Sequence, residues 1–224
     1  MLRQSFSVIK CHKRTAVSTK AIPQFLLYYK RQCDKIITGD YMKYILASGS
    51  PRRKELLKFI IPEFEIITAD IEEVCPDNMA PKKRPEYLAL KKAKAVAKNY
   101  EGSTVIGADT AVFLGEEMLG KPKDKQQAIK ILKSLSGKTH SVITGCAIVN
   151  GEKERSFSVE TTVKFLKLDN IEINEYIETN EPFDKAGAYG IQGFGSLLIE
   201  GICGDYFNVV GLPVSRLNAE LKNF

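Results

Sequence analysis

The amino-acid sequence predicts an α/β fold that begins at Tyr44. Residues 44–57 have the pattern of a short buried strand, a tight turn and a helix start. Residues 85–99 have the length and composition of a long helix, and residues 139–149 and 159–168 alternate like two paired strands. Strands and helices that succeed one another in this way are typical of α/β proteins.

The turn between the first strand and the first helix has the features of an anion-binding site. Ser50 and Pro51 match a helix start, with serine as the N-cap and proline in the first helical position. Free N–H groups and the positive end of a helix dipole favour an anion there. Arg52 and Arg53 add two cations, and a polyphosphate suits the arginine fork. An ordinary strand–helix connection with two solvated arginines is the alternative interpretation.

The remaining elements are predicted in order along the chain. A short strand is expected at 64–68, followed by an acidic turn and a proline-rich loop. The helix at 85–99 carries four lysines, most of them expected on a solvated face. The later predicted elements are helices at 124–136 and 170–178, a glycine-rich polar loop at 183–195, and strands at 197–202 and 206–210 that flank it.

The most apolar stretch of the chain, at 104–114, contains one acid, Asp109. An isolated buried carboxylate is costly, so this side chain must be paired, hydrogen-bonded or bound to a metal. Asp109 is therefore the leading catalytic candidate. The structural alternative is a carboxylate that caps a nearby turn.

Composition and charge argue against several classes of function. The net charge is +6, but residues 1–41 contain eight Lys/Arg and two Asp, so the rest of the chain is close to neutral. A nucleic-acid groove is therefore not predicted, and no apolar run reaches transmembrane length. The five cysteines are dispersed and odd in number, which indicates reduced thiols. With only two histidines, a Cys/His metal cluster is not expected.

Residues 1–41 differ in composition from the rest of the chain. They are basic, poor in acids and contain several Ser and Thr, as organelle transit peptides do. A disordered basic extension, or upstream sequence before a start at Met42, are the alternatives. We predict a basic N-terminal extension at 1–41 and one domain at 42–224. The expected location is cytoplasmic, or mitochondrial if the extension is a transit peptide.

Five motifs occur together in this sequence: Ser48-Gly-Ser-Pro-Arg-Arg53, Gly107-Ala-Asp-Thr110, Gly120-Lys-Pro122, Leu135-Ser-Gly-Lys-Thr-His140 and Asp184-Lys-Ala-Gly-Ala-Tyr-Gly-Ile-Gln-Gly193. In their order and spacing they resemble the Maf family of nucleoside triphosphate pyrophosphatases, from about Tyr44 to the C-terminus. The resemblance implies a Maf/ITPase-like α/β fold, with a mixed twisted sheet, flanking helices and two lobes around a central cleft. It also implies hydrolysis of a nucleoside triphosphate to monophosphate and pyrophosphate, a divalent metal (Mg²⁺ or Mn²⁺) and often a homodimer.

The resemblance also implies roles for individual residues. Asp109 matches the family's catalytic acid, described as the proton acceptor. The matching substrate-binding positions are Ser48, Ser50, Arg52, Arg53, Lys92 and Lys121. The metal positions are Glu73 and Asp109. The specificity positions are Arg53, Thr110 and Gln192. The chemistry of these residues agrees with the role. Cleavage of a phosphoanhydride requires an activated water and neutralised phosphate charge, and carboxylates are hard ligands for Mg²⁺ or Mn²⁺.

The segment Tyr189-Gly-Ile-Gln-Gly193 resembles the family branch that acts on dTTP and UTP. The amide of Gln192 offers one donor and one acceptor, which can match N3–H and O4 of thymine or uracil. The expected activity is metal-assisted hydrolysis of dTTP and UTP, and of modified pyrimidine nucleotides. Two alternatives are a nucleotide-binding regulator of cell division with incidental hydrolysis, and a pyrophosphatase for another modified nucleotide such as 7-methyl-GTP.

Overall fold

A computed structural model describes residues 43–224. The strands in this range are β1 (Tyr44–Leu46), β2 (Glu65–Ile66), β3 (Thr104–Leu114), β4 (Glu117–Leu119), β5 (Thr139–Asn150), β6 (Lys153–Phe165) and β7 (Ile199–Cys203). The α-helices are α1 (Pro51–Leu57), α2 (Arg84–Ala97), α3 (Lys125–Leu135), α4 (Asn170–Glu178), α5 (Tyr206–Val210) and α6 (Val214–Lys222). Short 3₁₀ segments occur at Pro81–Lys83, Glu181–Asp184, Ala186–Ala188 and Gly193–Leu198.

The seven strands form one mixed sheet with the order β2-β1-β3-β5-β6-β7, and β4 pairs with the far end of β3. The pairs of β1 with β2 and β3 are parallel, whereas the other pairs are antiparallel. In the central ladder Asp109 of β3 lies opposite Gly145 of β5. The predicted mixed α/β sheet with flanking helices is therefore confirmed.

Three of the four apolar clusters in the described residues hold the helices on this sheet. Helices α1 and α6 pack on one side of β1, β3 and β5, around Leu57, Ile106 and Leu217. Helix α2 contributes Ala89 and Ala93 to a second cluster that also contains β1, β3 and β5 residues. The long strands β3, β5 and β6 extend beyond this region, and α3 and α4 pack there in the third cluster. The site described below lies where the clusters meet along β3.

The strand predicted at 206–210 is wrong, because these residues form helix α5. Its aromatic and β-branched side chains favour a strand in isolation. Asp205 overrides this preference by capping the helix, since its side chain accepts hydrogen bonds from the N–H groups of Phe207 and Asn208 at 2.8 and 3.3 Å. Gly211, at φ 125°, ends the helix.

Other predicted bounds need smaller corrections. Strand β6 begins at Lys153 and ends at Phe165, and β2 is limited to Glu65–Ile66. The start of β6 was missed because its first residues are polar, although they pair across the turn at Gly151 with β5. Helix α6 was not predicted. The helix start at Ser50 and Pro51 is confirmed, as is the helix at 170–178.

None of the helices within residues 43–224 is both long enough and apolar enough to cross a membrane. Cys75, Cys146 and Cys203 are free thiols in the described part of the chain. The predictions for the extension at 1–41, including its cysteines, concern residues outside the described range.

Candidate active site

A cavity of about 590 Å³ opens along β3 and the start of α1. Nine of the ten residues that the family resemblance singles out line it: Ser50, Arg52, Arg53, Glu73, Lys92, Asp109, Thr110, Lys121 and Gln192. Ser48 is the tenth; it is buried, and its hydroxyl lies behind the cavity wall. One concave surface thus gathers residues that lie far apart in the sequence.

A close approach of α2 to the sheet places Lys92 at this cavity. A Cβ atom at Gly107 of β3 would stand 2.1 Å from the carbonyl oxygen of Ala89. Only glycine therefore lets α2 lie this close to β3. Lys92 follows Ala89 by about one helical turn, which brings its ammonium group beside Asp109.

The ammonium group of Lys92 is shared by two carboxylates. Its Nζ lies 2.7 Å from Asp109 Oδ1 and 2.6 Å from Glu73 Oε1. The side chains of Lys92 and Asp109 are 13% and 16% exposed, whereas that of Glu73 is 58% exposed. Burial raises the pKa of Asp109, and the charge and hydrogen bond of Lys92 oppose this shift. The carboxylate is therefore a stronger base than an ordinary aspartate, as a proton acceptor requires.

On the neighbouring wall, Arg53 is held by four protein acceptors. Its Nη1 donates to Ser48 Oγ at 3.0 Å and to the Ala108 carbonyl at 2.8 Å. Its Nε donates to the Gly211 carbonyl at 2.9 Å, and its Nη2 donates to Thr110 Oγ1 at 3.0 Å. A guanidinium group has five N–H donors, so four of them are already used. Ser48 consequently acts on the cavity through Arg53.

A buried polar network continues from Thr110 to α5. The hydroxyl of Thr110 lies 2.9 Å from that of Thr144, which donates to the carbonyl of Asn208 at 2.8 Å. The Asn208 amide in turn bonds the Thr144 N–H and the Val142 carbonyl. Sequence reasoning missed Thr144 and Asn208. The only feature of the sequence that marks them is that each is a polar residue inside an apolar run.

Arg52 is held more loosely than Arg53. Its Nη1 lies 3.4 Å from Asp184 Oδ2, and the Arg52 side chain is 35% exposed. Asp184 also accepts from Lys185 Nζ at 2.6 Å, and both residues line the cavity. The sequence placed Asp184 and Lys185 inside a motif without assigning them a role.

Three further predicted residues lie on the rim. The hydroxyl of Ser50 caps α1 by accepting from the Arg53 N–H at 3.5 Å, so this serine has a structural role as well. Lys121 and Gln192 are exposed. Neither makes a side-chain hydrogen bond or ion pair with another residue of 43–224, which leaves both side chains able to meet a ligand.

The carboxylates of Glu73 and Asp109 suit a divalent cation in type and lie close together, because both contact a single cationic atom, Lys92 Nζ. No group of three or more His, Cys, Asp or Glu side chains suited to a metal occurs within 43–224. Two carboxylates that leave the other positions to phosphate oxygens and water form a common arrangement for Mg²⁺.

Comparison with known proteins shows the family of the chain. The family model for Maf-like proteins matches residues 43–224. The chain belongs to the Maf family. The family membership predicted from the five motifs is therefore confirmed, and the match covers the whole described range.

Curated relatives of this Maf protein carry a specific name. A "dTTP/UTP pyrophosphatase" from Bacillus cytotoxicus is 50% identical over 182 residues, which cover 81% of this chain and 95% of that protein. Proteins of the same name from Bacillus cereus and Bacillus mycoides match with the same identity and coverage. Among solved structures, the Staphylococcus aureus Ham1 protein superposes with a TM-score of 0.50 at 16% identity, over 81% of this chain and 98% of that one. That likeness concerns the fold alone.

Proposed function

We propose that this Maf protein is a nucleoside triphosphate pyrophosphatase that hydrolyses dTTP and UTP to the monophosphate and pyrophosphate. The observation that carries the proposal is Asp109, a mostly buried carboxylate of raised pKa inside a cavity lined by cations. The 50% identity to proteins named dTTP/UTP pyrophosphatase supports the choice of substrate.

In the proposed reaction, Asp109 accepts a proton from the water that attacks the α-phosphorus. The bond from the α-phosphorus to the bridging oxygen breaks, and the electron pair leaves with pyrophosphate. Arg52 and Lys121 offset the charge of the triphosphate and of the departing pyrophosphate, since neither is fixed by several protein acceptors. Lys92 keeps Asp109 oriented and favours its ionised form.

We also propose that the reaction uses Mg²⁺ or Mn²⁺. Glu73 and Asp109 are the residues that would hold the ion, and a bound ion would neutralise charge on the phosphate oxygens. The expected homodimer stays a prediction, and light scattering of the purified protein would test it.

We assign base selectivity to Gln192, and to Arg53 and Thr110, which line the same cavity and are bonded to each other. The Gln192 amide is exposed on the loop that lines the cavity. It can pair with N3–H and O4 of uracil or thymine, whereas cytosine presents the reversed pattern at these positions. Adenine also presents the reversed pattern, whereas guanine offers the same pair, N1–H and O6, on a larger ring.

The experiment that tests the function is a pyrophosphate-release assay over all common triphosphates and 7-methyl-GTP, with Mg²⁺ or Mn²⁺. We expect dTTP and UTP to be the best substrates. If 7-methyl-GTP were hydrolysed faster than both, the substrate assignment would be wrong. If no triphosphate were hydrolysed but nucleotides still bound, the regulatory alternative would gain support.

A further inference from the structure

Residues 190–195 form the loop that carries Gln192 along the cavity. The carboxylate of Glu181 lies behind this loop and is not part of the cavity lining. Its Oε2 accepts a hydrogen bond from the Phe194 N–H at 3.0 Å, and its Oε1 accepts one from the Gly195 N–H at 3.2 Å. A single carboxylate thus fixes the backbone on the C-terminal side of Gln192.

Tyr176 of α4 extends the same contact to the start of the loop. Its hydroxyl donates to Glu181 Oε1 at 3.0 Å and accepts from the Gly190 N–H at 3.2 Å. The ring is 4% exposed. Burial, together with the nearby charge of Glu181, raises the pKa of this hydroxyl, which therefore stays protonated and keeps donating. We call Glu181 and Tyr176 the loop clamp.

The backbone of the loop is shaped to receive the clamp. Gly193 has φ 69°, and a Cβ atom there would stand 2.6 Å from Glu181 Oε2. The left-handed backbone favours glycine, and a larger residue would displace the Glu181 carboxylate from the loop. The main chain of Glu181 is itself anchored, because its carbonyl accepts from Lys185 Nζ at 2.7 Å. The clamp is therefore fixed to the rim of the cavity.

We propose that Glu181 is a positioning residue for base selectivity and acts through Gln192. The inference rests on the proposed function, in which Gln192 reads the pyrimidine edge. A freely rotating amide can offer either of its two patterns, so discrimination depends on its placement. The Gln192 side chain has no hydrogen-bond partner within 43–224, so the loop backbone that the clamp holds fixes the point from which the amide reaches the base.

The test compares four single variants of the full chain. Glu181→Gln keeps the size of the side chain but replaces one carboxylate oxygen with an NH₂ group. That group cannot accept the hydrogen bond that the loop N–H donates to the oxygen. Tyr176→Phe removes only the hydroxyl and serves if the first variant folds poorly. Gln192→Ala is the reference for lost base reading. Glu178→Gln is the matched control, because this exposed acid pairs with Lys125 and does not contact the loop. The other three variants are also made in the Gln192→Ala background.

The readout is the ratio of kcat/KM for UTP to kcat/KM for CTP, because cytosine presents the reversed pattern, with kcat and KM reported separately and thermal unfolding as a fold control. A lost hydrogen bond to the base corresponds to about a tenfold effect. We expect Glu181→Gln and Tyr176→Phe to lower the ratio by about tenfold, mainly through KM for UTP. In the Gln192→Ala background the same changes should alter the ratio by less than about twofold, because they act through that residue. Glu178→Gln should leave the ratio unchanged.

Three results would overturn the inference. The first is an unchanged ratio in both folded clamp variants. The second is an equal fall of the ratio with and without Gln192. The third is a Gln192→Ala variant with the ratio of the wild type. These outcomes differ from failure of the proposed function, in which the wild type itself releases no pyrophosphate from UTP or dTTP and the inference falls with it.

Discussion

Two walls of the same cavity hold their charges in different ways. On one wall, the guanidinium of Arg53 donates to four protein acceptors that come from the turn after β1, from β3 and from the end of α5. On the other wall, the ammonium of Lys92 is shared between Asp109 and Glu73, and the Glu73 side chain is largely exposed.

This difference indicates that the Arg53 wall has a structural role and that the Lys92 wall has a catalytic role. A cation whose donors are used by backbone and hydroxyl acceptors fixes the shape of the cavity and has one N–H left for a ligand. A buried carboxylate held only by neighbouring charge has a raised pKa and can exchange a proton. We therefore expect changes on the Arg53 wall to reduce stability and changes on the Lys92 wall to reduce turnover.

The largest effect is expected for Asp109→Asn. The side chain keeps its size but loses the charge and basicity that the reaction needs. Turnover of dTTP should fall by about 10²–10⁴-fold, whereas nucleotide binding should persist. Steady-state pyrophosphate release measures the first, and calorimetric titration measures the second. Asp70→Asn, at an exposed acid outside the cavity, is the control. If the variant kept turnover close to that of the wild type, the catalytic role of the Lys92 wall would be wrong.

Arg53→Lys should act chiefly on stability. Lysine cannot reproduce the fork that reaches the carbonyls of Ala108 and Gly211, and an unsatisfied acceptor costs about 1–3 kcal/mol. We expect the free energy of unfolding to fall by about 2–4 kcal/mol in urea titrations. Lys54→Ala, on the exposed side of α1, should have little effect. The comparison would fail if Arg53→Lys kept full stability while losing turnover.

The pH dependence of kcat/KM sharpens the description of the Lys92 wall. Asp109 must be ionised to accept a proton, so activity should fall as the pH drops through its pKa. Burial places this acid limb above the ordinary aspartate value of about 4. Lys92→Met should move the limb to higher pH, because Lys92 lowers the pKa of Asp109 by charge and hydrogen bond. Lys94→Met, which removes a half-exposed lysine paired with Glu154, should not move it. A downward movement in Lys92→Met would contradict the assignment.

Thr144→Val tests whether the hydrogen-bond network behind the Arg53 wall also has a structural role. Valine matches the shape of threonine but removes the hydroxyl that links Thr110 to the carbonyl of Asn208. The free energy of unfolding should fall by about 1–2 kcal/mol, and Thr144→Ser should restore most of it. Chemical denaturation gives the values. If Thr144→Val lowered turnover by more than tenfold without loss of stability, the network would have a catalytic role and the comparison of the walls would be wrong.

Removal of residues 1–41 should have the smallest effect. The family match starts at Lys43, and all ten residues assigned to the site lie after that position. A chain starting at Met42 should keep the kcat of the full chain. A large loss in a well-folded truncation would show that the extension joins the site. Imaging of the extension fused to a fluorescent protein would separately test the targeting prediction.

Much of the fold could be predicted because its signals are local. The cap at Ser50 and the acid inside the apolar run at 104–114 each depend on neighbouring residues, and both predictions agree with the structure. Helix α5 could not be predicted in the same way. Asp205 caps this helix, and the buried Asn208 also contacts β5 and β6, more than 40 residues away in sequence. The cap and these distant contacts together override the strand preference of the side chains.

The candidate site, too, could be predicted where its signals are local but not where they depend on distant contacts. The motifs predicted which residues gather at the cavity, yet they could not separate Lys92 from the other lysines of α2 without family knowledge. They also could not predict that Arg53 is braced, because one acceptor, the carbonyl of Gly211, comes from the far end of the chain. Tertiary contacts decide which cations are fixed and which remain available.

The most direct test of this account is the free energy of unfolding of Asp109→Asn at pH 7. Because burial raises the pKa of Asp109 in the folded protein, the folded state binds this proton more tightly than the unfolded chain does, and ionisation costs stability at neutral pH. Replacement of the carboxylate should therefore leave the variant at least as stable as the wild type while turnover is lost. A loss of about 2 kcal/mol or more, of the size expected for Arg53→Lys, would mean that Asp109 is part of the supporting framework and would contradict the division between the two walls.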